Sequence, residues 1–254
     1  MSNKKKIACA LYGQPRFLEQ GHANLTKSVA ECDFDIDFYC HSYEYGTDFE
    51  KYEHSPWRKG DGKNAEIVRD VHTKISKLYN PIKLEVDAPF DGDLDDVKYS
   101  IIGKTTKKFN KRIYYNIKNC MSQFYSRSRL CKIVEEQNLD YEFIITCRYD
   151  FRKRIDCDFL HQLDDSKIYT SSCRPETSKI NDNLLIMNAE NFLKITNVYQ
   201  NISDIMNNKL LRDKTLLNNV PFILSAEEIL IINILYHYDD LGRLISTPKI
   251  PNYR

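Results

Sequence analysis

The feature that most constrains the fold is Phe143-Ile144-Ile145-Thr146-Cys147, an apolar run with no polar alternation. A strand with one face in water alternates apolar and polar residues, because successive side chains point to opposite sides. A run without alternation belongs in the middle of a mostly parallel sheet covered by helices on both faces, which is an α/β architecture. Directly after it the chain turns polar, as Arg148-Tyr149-Asp150 and then Arg152-Lys153-Arg154. Open α/β sheets bind ligands beyond the carboxyl ends of their strands, so Arg148 and Asp150 are the leading site candidates. Charges are also ordinary where a strand runs out into solvent, and spacing alone does not separate the two readings.

The 254 residues suffice for one large α/β domain or two small ones. No repeat, low-complexity tract or clear linker divides them, so one domain over 1–254 is expected. Within it a first part of about 5–150 and a second of about 151–245 are expected. The 37 basic and 36 acidic residues nearly cancel, which argues against a nucleic-acid binder, whose phosphate-neutralising surface makes a domain strongly basic. Eight cysteines include no C-x-x-C pair, so spacing gives no zinc site. Cys9, Cys40 and Cys147 sit in apolar runs, where a reduced thiol acts as a small hydrophobe. Met1–Leu11 lacks the long apolar core of a secretory signal, and no stretch approaches the ~20 apolar residues of a membrane span. The expectation is a reduced, cytoplasmic protein, with the sequons at Asn24 and Asn201 arising by chance.

Ile7–Leu11 reads as a strand, Tyr12–Arg16 as a glycine turn and Phe17–Ala30 as a helix. A glycine there lets the backbone approach a ligand, and the helix start offers N–H groups to anions, which nominates Gly13, Gln14 and Arg16. A second strand, Asp35–Cys40, ends in His41-Ser42-Tyr43; His41 is read as simply hydrogen-bonded, and Tyr43 either as a platform for a nucleobase or as an aromatic in the packing. Helical spacing over Ala65–Leu78, a strand at Ile82–Val86 and an acidic loop at 87–96 follow. That loop lacks the Gly and Glu of a calcium-binding loop. The basic run Lys104–Arg112 reads as a solvated face. A helix within 116–138 follows, with Gln123, Ser126 and Arg127 as candidates for its ligand side.

Beyond Asp150 the pattern gives a short helix at Asp158–Leu163, a strand at Ile168–Ser171, a polar loop at Cys173–Ile180 and a buried strand at Leu184–Met187. One helix, Ala189–Met206, is capped by Asn188, and a last helix covers Ile229–Tyr238. Ser225 and Glu228 spell a capping box before that helix. Glu228 thereby has a structural explanation, and Glu227 is left as the residue for chemistry.

Gathered on one sheet edge, Gly13, Arg16, Tyr43, Arg148, Asp150, Asp182 and Glu227 would suit a nucleoside-diphosphate substrate. Arginine grips phosphate oxygens, an aspartate holds a divalent ion on the diphosphate, and a second carboxylate deprotonates a hydroxyl. The ordered segments GQPRF, DFYCHSY, SQFYSRSRLCKI, YEFIITCRYDF, KINDNLLIMNAENF and SAEEILIINIL resemble the GT-A-type glycosyltransferases. The likeness is to a group found in large DNA viruses and bacterial surface-polysaccharide loci, over residues 5–240. The resemblance implies transfer from a UDP-sugar, with UDP-xylose as a donor, to a glycan acceptor, and Mn²⁺ or Mg²⁺ held after the central strand. Arg148-Tyr149-Asp150 stands in the place of Asp-x-Asp, so Asp150 alone matches as metal ligand. Glu227 matches the family's base and Asp182 a sugar or acceptor contact that could replace it. Two other readings stay open: a non-catalytic nucleotide- or glycan-binding module, and a nucleotidyltransferase, whose glycine-rich loop is not matched by the single Gly13.

Overall fold

In the computed structural model, the described residues are 5–30, 32–46, 68–92, 111–137, 140–151, 155–171, 173–174, 179–208, 226–238 and 241–246. The chain runs β1 (Lys5–Gly13), α1 (Leu18–Ala30), β2 (Phe34–Tyr43), α2 (Val71–Tyr79), β3 (Lys83–Asp87), α3 (Lys111–Glu135) and β4 (Phe143–Arg148). It continues through α4 (Cys157–Leu160), β5 (Ile168–Thr170), β6 (Cys173–Arg174), β7 (Lys179–Ile180), β8 (Leu184–Met187), α5 (Ala189–Thr196), α6 (Val198–Asn207), α7 (Ala226–Tyr238) and β9 (Leu244–Ser246).

Seven strands form one sheet in the order β3-β2-β1-β4-β8-β5-β9, and β6 pairs with β7 separately. β1 is parallel to both β2 and β4, β2 to β3, and β5 to β9. Only β8 runs the other way, against β4 and β5. The sheet is therefore mostly parallel, as the unalternated run at 143–147 requires.

Period-2 geometry divides the core in two. Ala8, Ala10, Tyr12, Ile144 and Met187 face α3, α5, α6 and α7. Ile7, Cys9, Leu11, Ile145 and Cys147 face α1, α2 and α4. Every residue from Ile7 to Tyr12 is 0% exposed, so β1 and β4 are central strands with helices on both faces. At ~1.5–3 kcal/mol for each fully buried large aliphatic side chain, these two layers are the main favourable contribution to folding.

Several expected boundaries move. β2 extends through Tyr43 because His41, Ser42 and Tyr43 are themselves buried and pair in register with β1 and β3. Val68–Asp70 is not helical; Asp70 sits in the left-handed region at φ 52, and α2 begins at Val71, whose N–H is capped by Glu44 Oε2 at 2.7 Å. Within Cys173–Ile180, expected as a polar loop, β6 and β7 pair antiparallel. The long helix expected at 189–206 is two helices broken at Asn197, whose ψ of 36° leaves the helical range. Asn188 does cap the first of them, accepting from the Asn191 N–H at 2.8 Å. Trp57 and its loop, Lys104–Asn110, Arg152–Arg154, Ser225 and the tail 247–254 lie outside the described residues, as does the Glu228 side chain.

The thiols are not all reduced. Cys32, between α1 and β2, is bonded to Cys157 at the start of α4, and the other cysteines of the described core, Cys9, Cys40, Cys120, Cys131 and Cys147, are free and buried. Each half of the pair has an unremarkable spacing, so sequence gave no sign of it. No helix among the described residues is long and apolar enough to cross a membrane.

Candidate active site

The strand order places one site before any side chain is considered. From β1 the chain steps outward to β2 and β3, then crosses back to β4 on the other side of β1. The carboxyl ends of β1 and β4 therefore diverge into connections running opposite ways, which is where α/β sheets leave a ligand crevice. Tyr12 and Arg148 are register partners at that point. Because β8 is antiparallel, its beginning rather than its end reaches the same edge, with Cys147 opposite Leu184. Asp182 and Asn183 thus arrive beside Arg148.

Arg148 ends β4 and Asp150 follows in the turn, where the two side chains meet while Tyr149 turns into the other core at 0% exposure. Arg148 Nε donates to Asp150 Oδ1 at 2.9 Å and Nη2 to Oδ2 at 2.6 Å. Its remaining Nη1 donates to Asn183 Oδ1 at 3.1 Å. Arg16 Nη2 lies 3.7 Å from the same Asp150 Oδ2. Burial works against the charge on Arg148, but Asp150 outweighs it and holds the guanidinium above its ordinary pKa. The side chains of Arg148, Arg16 and Asp150 stay 23, 18 and 13% exposed, so they are partly open to solvent.

The α1 helix is pressed onto this turn. A Cβ on Gly21 would fall 1.7 Å from the Tyr149 carbonyl oxygen, so only glycine permits the approach, and Asn24 Nδ2 donates to the Phe151 carbonyl at 3.0 Å. Gly13 turns the chain at φ 96 and Phe17 at φ 52, which carries Arg16 over Asp150.

Gly13 serves the turn rather than an anion. Its N–H donates to Ser126 Oγ at 2.8 Å, and its carbonyl accepts from Ser42 Oγ at 3.0 Å. Gln14 Nε2 donates to the Tyr45 hydroxyl at 2.7 Å. Tyr43 is 1% exposed and donates to the Ser122 carbonyl at 2.6 Å. A ring packed that way has no face for a base, which corrects its assignment as a nucleobase platform.

His41 is hydrogen-bonded as expected, and both nitrogens are used. Nε2 faces Asp87 Oδ2 at 3.1 Å and Nδ1 faces Ser126 Oγ at 2.7 Å. The carboxylate only accepts, so Nε2 carries the proton and Nδ1 accepts from the Ser126 hydroxyl. Burial holds His41 below its ordinary pKa, against the pull of Asp87. Serine, histidine and aspartate are lined up here, but Ser126 and His41 are both 0% exposed. No substrate reaches them, and the chain of bonds anchors the Gly13 turn to α3 and β3.

A second arginine–aspartate pair lies underneath. Arg127, 1% exposed, stacks 4.5 Å over the Tyr12 ring and donates through Nη2 to the Tyr12 hydroxyl and the Asp182 carbonyl. The Asp182 carboxylate accepts from Gln123 Nε2 and stands 4.0 Å from Arg127. Burial pushes the Tyr12 hydroxyl up to about 12, with Arg127 opposing, so it stays a donor and reaches the Asp182 carbonyl at 2.8 Å. Gln123 and Asp182 are thus brought together beside Arg148. Glu227 stands half-buried in the first turn of α7, a helix that packs on β7 just before Asp182.

The donor set around Asp150 does not fit Mn²⁺ or Mg²⁺. Such ions take oxygen ligands, with one or two carboxylates, and here both carboxylate oxygens accept from Arg148 with Arg16 beside them. Two unit charges 4 Å apart near a protein surface interact by about 4 kcal/mol, so a divalent ion on Asp150 would meet about twice that repulsion from each adjacent guanidinium. Among the described residues no group of three or more His, Cys, Asp or Glu could hold a metal. A cavity of about 570 Å³ lined by Glu142, Asp164, Asn188 and Glu190 lies at the opposite edge of the sheet, by the start of β4.

Tyr12 and Asn183 were not among the residues singled out from sequence. Tyr12, expected in the turn, lies inside β1, and Asn183 becomes a ligand of Arg148 only through the antiparallel return of β8.

No family model matches the sequence, and no curated protein matches it. Among solved structures, the apo form of mouse xyloside xylosyltransferase 1 aligns at a TM-score of 0.41 and 9% identity, over 96% of this chain and 84% of that one. The apo form of the glycosyltransferase GlyE of Streptococcus pneumoniae TIGR4 aligns at 0.40 and 10%, over 97% of this chain and 46% of that one. This chain spans about half the length of GlyE.

Proposed function

We propose that this chain is a glycosyltransferase that moves a sugar from a UDP-sugar to a hydroxyl of a glycan acceptor. The observation that carries the reading is the cluster of Arg16, Arg148 and Asp150 at the crossover between β1 and β4. It supplies fixed positive charge where α/β sheets receive nucleotides, and it coincides with the segment that resembles the GT-A diphosphate motif.

In the favoured reaction, a carboxylate removes the proton of the acceptor hydroxyl, whose oxygen attacks the anomeric carbon. The bond from that carbon to the diphosphate oxygen breaks, and UDP departs against Arg148 and Arg16. This is a single displacement with inversion. Asp182 is 6% exposed, bonded by Gln123 and faced by Arg127, which suits it to orient the site. Glu227, in the more open first turn of α7, is assigned as the base. Gly13 and Gln14 shape the turn that carries Arg16.

The test is a panel of UDP-sugars, headed by UDP-xylose, assayed for UDP release and for transfer, with and without Mn²⁺. Turnover with one donor that disappears in Glu227→Gln supports the reading. Tight UDP binding without release or transfer, from any donor, would instead establish a non-catalytic nucleotide-binding module.

A further inference from the structure

We infer that the donor diphosphate is recognised by guanidinium groups in place of a divalent ion, with Arg148 and Arg16 as its ligands and Asp150 as the carboxylate whose place the phosphate oxygens take. The inference rests on the nucleotide-sugar reading and specifies the binding chemistry of that same site.

Three observations carry it. First, Asp150 is oriented by arginines and not toward a vacant coordination sphere: both of its oxygens accept from Arg148, and Arg16 stands 3.7 Å from Oδ2. Second, the Arg148 guanidinium is fixed in one plane by Asp150 and by Asn183. The fork that grips two carboxylate oxygens matches two phosphate oxygens once they replace them, which a point charge does not. Third, the two guanidiniums converge on one carboxylate, and all three side chains are partly exposed. A diphosphate arriving there exchanges one carboxylate for several phosphate oxygens.

The two chemistries predict opposite signs for one substitution. If Asp150 is a metal ligand, neutralising it weakens UDP binding. If Asp150 competes with the phosphates for the same guanidiniums, Asp150→Asn tightens UDP binding, by about threefold for a partly exposed pair.

The experiment is calorimetric titration of the full chain with UDP, once in EDTA and once in Mn²⁺. The expected result is the same Kd in both, at least tenfold weaker binding of UMP than of UDP, and at least tenfold weaker UDP binding by Arg148→Ala in EDTA. Binding that requires Mn²⁺, or that is weakened in Asp150→Asn, overturns the inference and leaves the nucleotide-sugar reading intact. No UDP binding in either buffer overturns that reading itself. The comparisons of EDTA with Mn²⁺ and of UDP with UMP use the wild type, so they stand even if a variant fails to fold.

Discussion

Arg148 and Asp150 form a two-point ion pair across the end of β4, at 2.9 and 2.6 Å, and Tyr149 between them is buried on the opposite face. Asp150 lies in the turn directly after β4, two residues from Arg148, so the pair needs no further element to assemble it. What the rest of the fold adds is Arg16 from the turn before α1 and Asn183 from the turn before β8.

Arg148→Lys separates charge from shape. Lysine keeps the charge but has neither the planar fork nor the second parallel bond. UDP affinity measured by calorimetry is expected to fall about tenfold, the equivalent of ~1.4 kcal/mol, with little change in melting temperature. Full affinity in the lysine variant would mean that the site reads charge alone.

Gly21→Ala should damage the fold and the site together. The added methyl would sit 1.7 Å from the Tyr149 carbonyl oxygen, and backbone on both sides leaves no flexible group to yield. Overpacking of this kind costs about 1–3 kcal/mol or more, and the relief available is movement of α1 away from the Arg148–Asp150 turn. Denaturant unfolding should show the loss of stability, and UDP titration a weaker complex. A variant as stable as the wild type would show that α1 does not approach this closely.

The Cys32–Cys157 bond closes a segment with a sequence separation of 125. In the chain-entropy account a crosslink over so long a loop stabilises by up to ~5 kcal/mol. Cys32→Ser with Cys157→Ser should lower the melting temperature by several degrees, and dithiothreitol should do the same to the wild type alone. Intact-mass measurement under non-reducing conditions should find the wild type 2 Da lighter than its reduced form. An unchanged mass and melt would restore the reduced state expected from composition.

The central sheet was legible because its signal is local. A run apolar at every position, as at 143–147, admits few placements, and the strand and helix from Lys5 to Ala30 follow from hydrophobic period and one glycine. The pairing of β6 with β7 was not legible, since each strand is only two residues long. The break at Asn197 was hidden because hydrophobic spacing continues through it. In the site, Arg148 and Asp150 announced themselves by position after the strand, but their mutual pairing did not. That pairing changes Asp150 from a metal ligand into a partner of arginine. Tyr43 was misassigned for a similar reason: β2 runs three residues farther than its apolar pattern indicates, so a residue placed beyond the strand is inside it.

The buried His41 predicts how stability depends on pH. Burial holds its folded pKa below the ordinary value, so the unfolded chain binds the proton more readily than the folded one. Stability is then complete above the unfolded value, about 6.5, and is lost as pH falls below it, by at most ~1.4 kcal/mol per pH unit for one proton. Asp87, which burial alone would raise, is held low by His41, Tyr125 and Arg129. Its contribution is lost only nearer pH ~4. Protonating His41 also removes the acceptor for the Ser126 hydroxyl, so the Gly13 turn loosens in the same range. His22 and His237 are shifted down by burial as well, and they add to the wild-type slope. The discriminating measurement is therefore a difference: melting temperature from pH 8 to pH 5 for wild type and for His41→Asn, whose side-chain oxygen can accept from Ser126. The variant should be less stable at pH 8 and lose less on acidification. Parallel curves would show that His41 is not held neutral and that another group sets the acid limit.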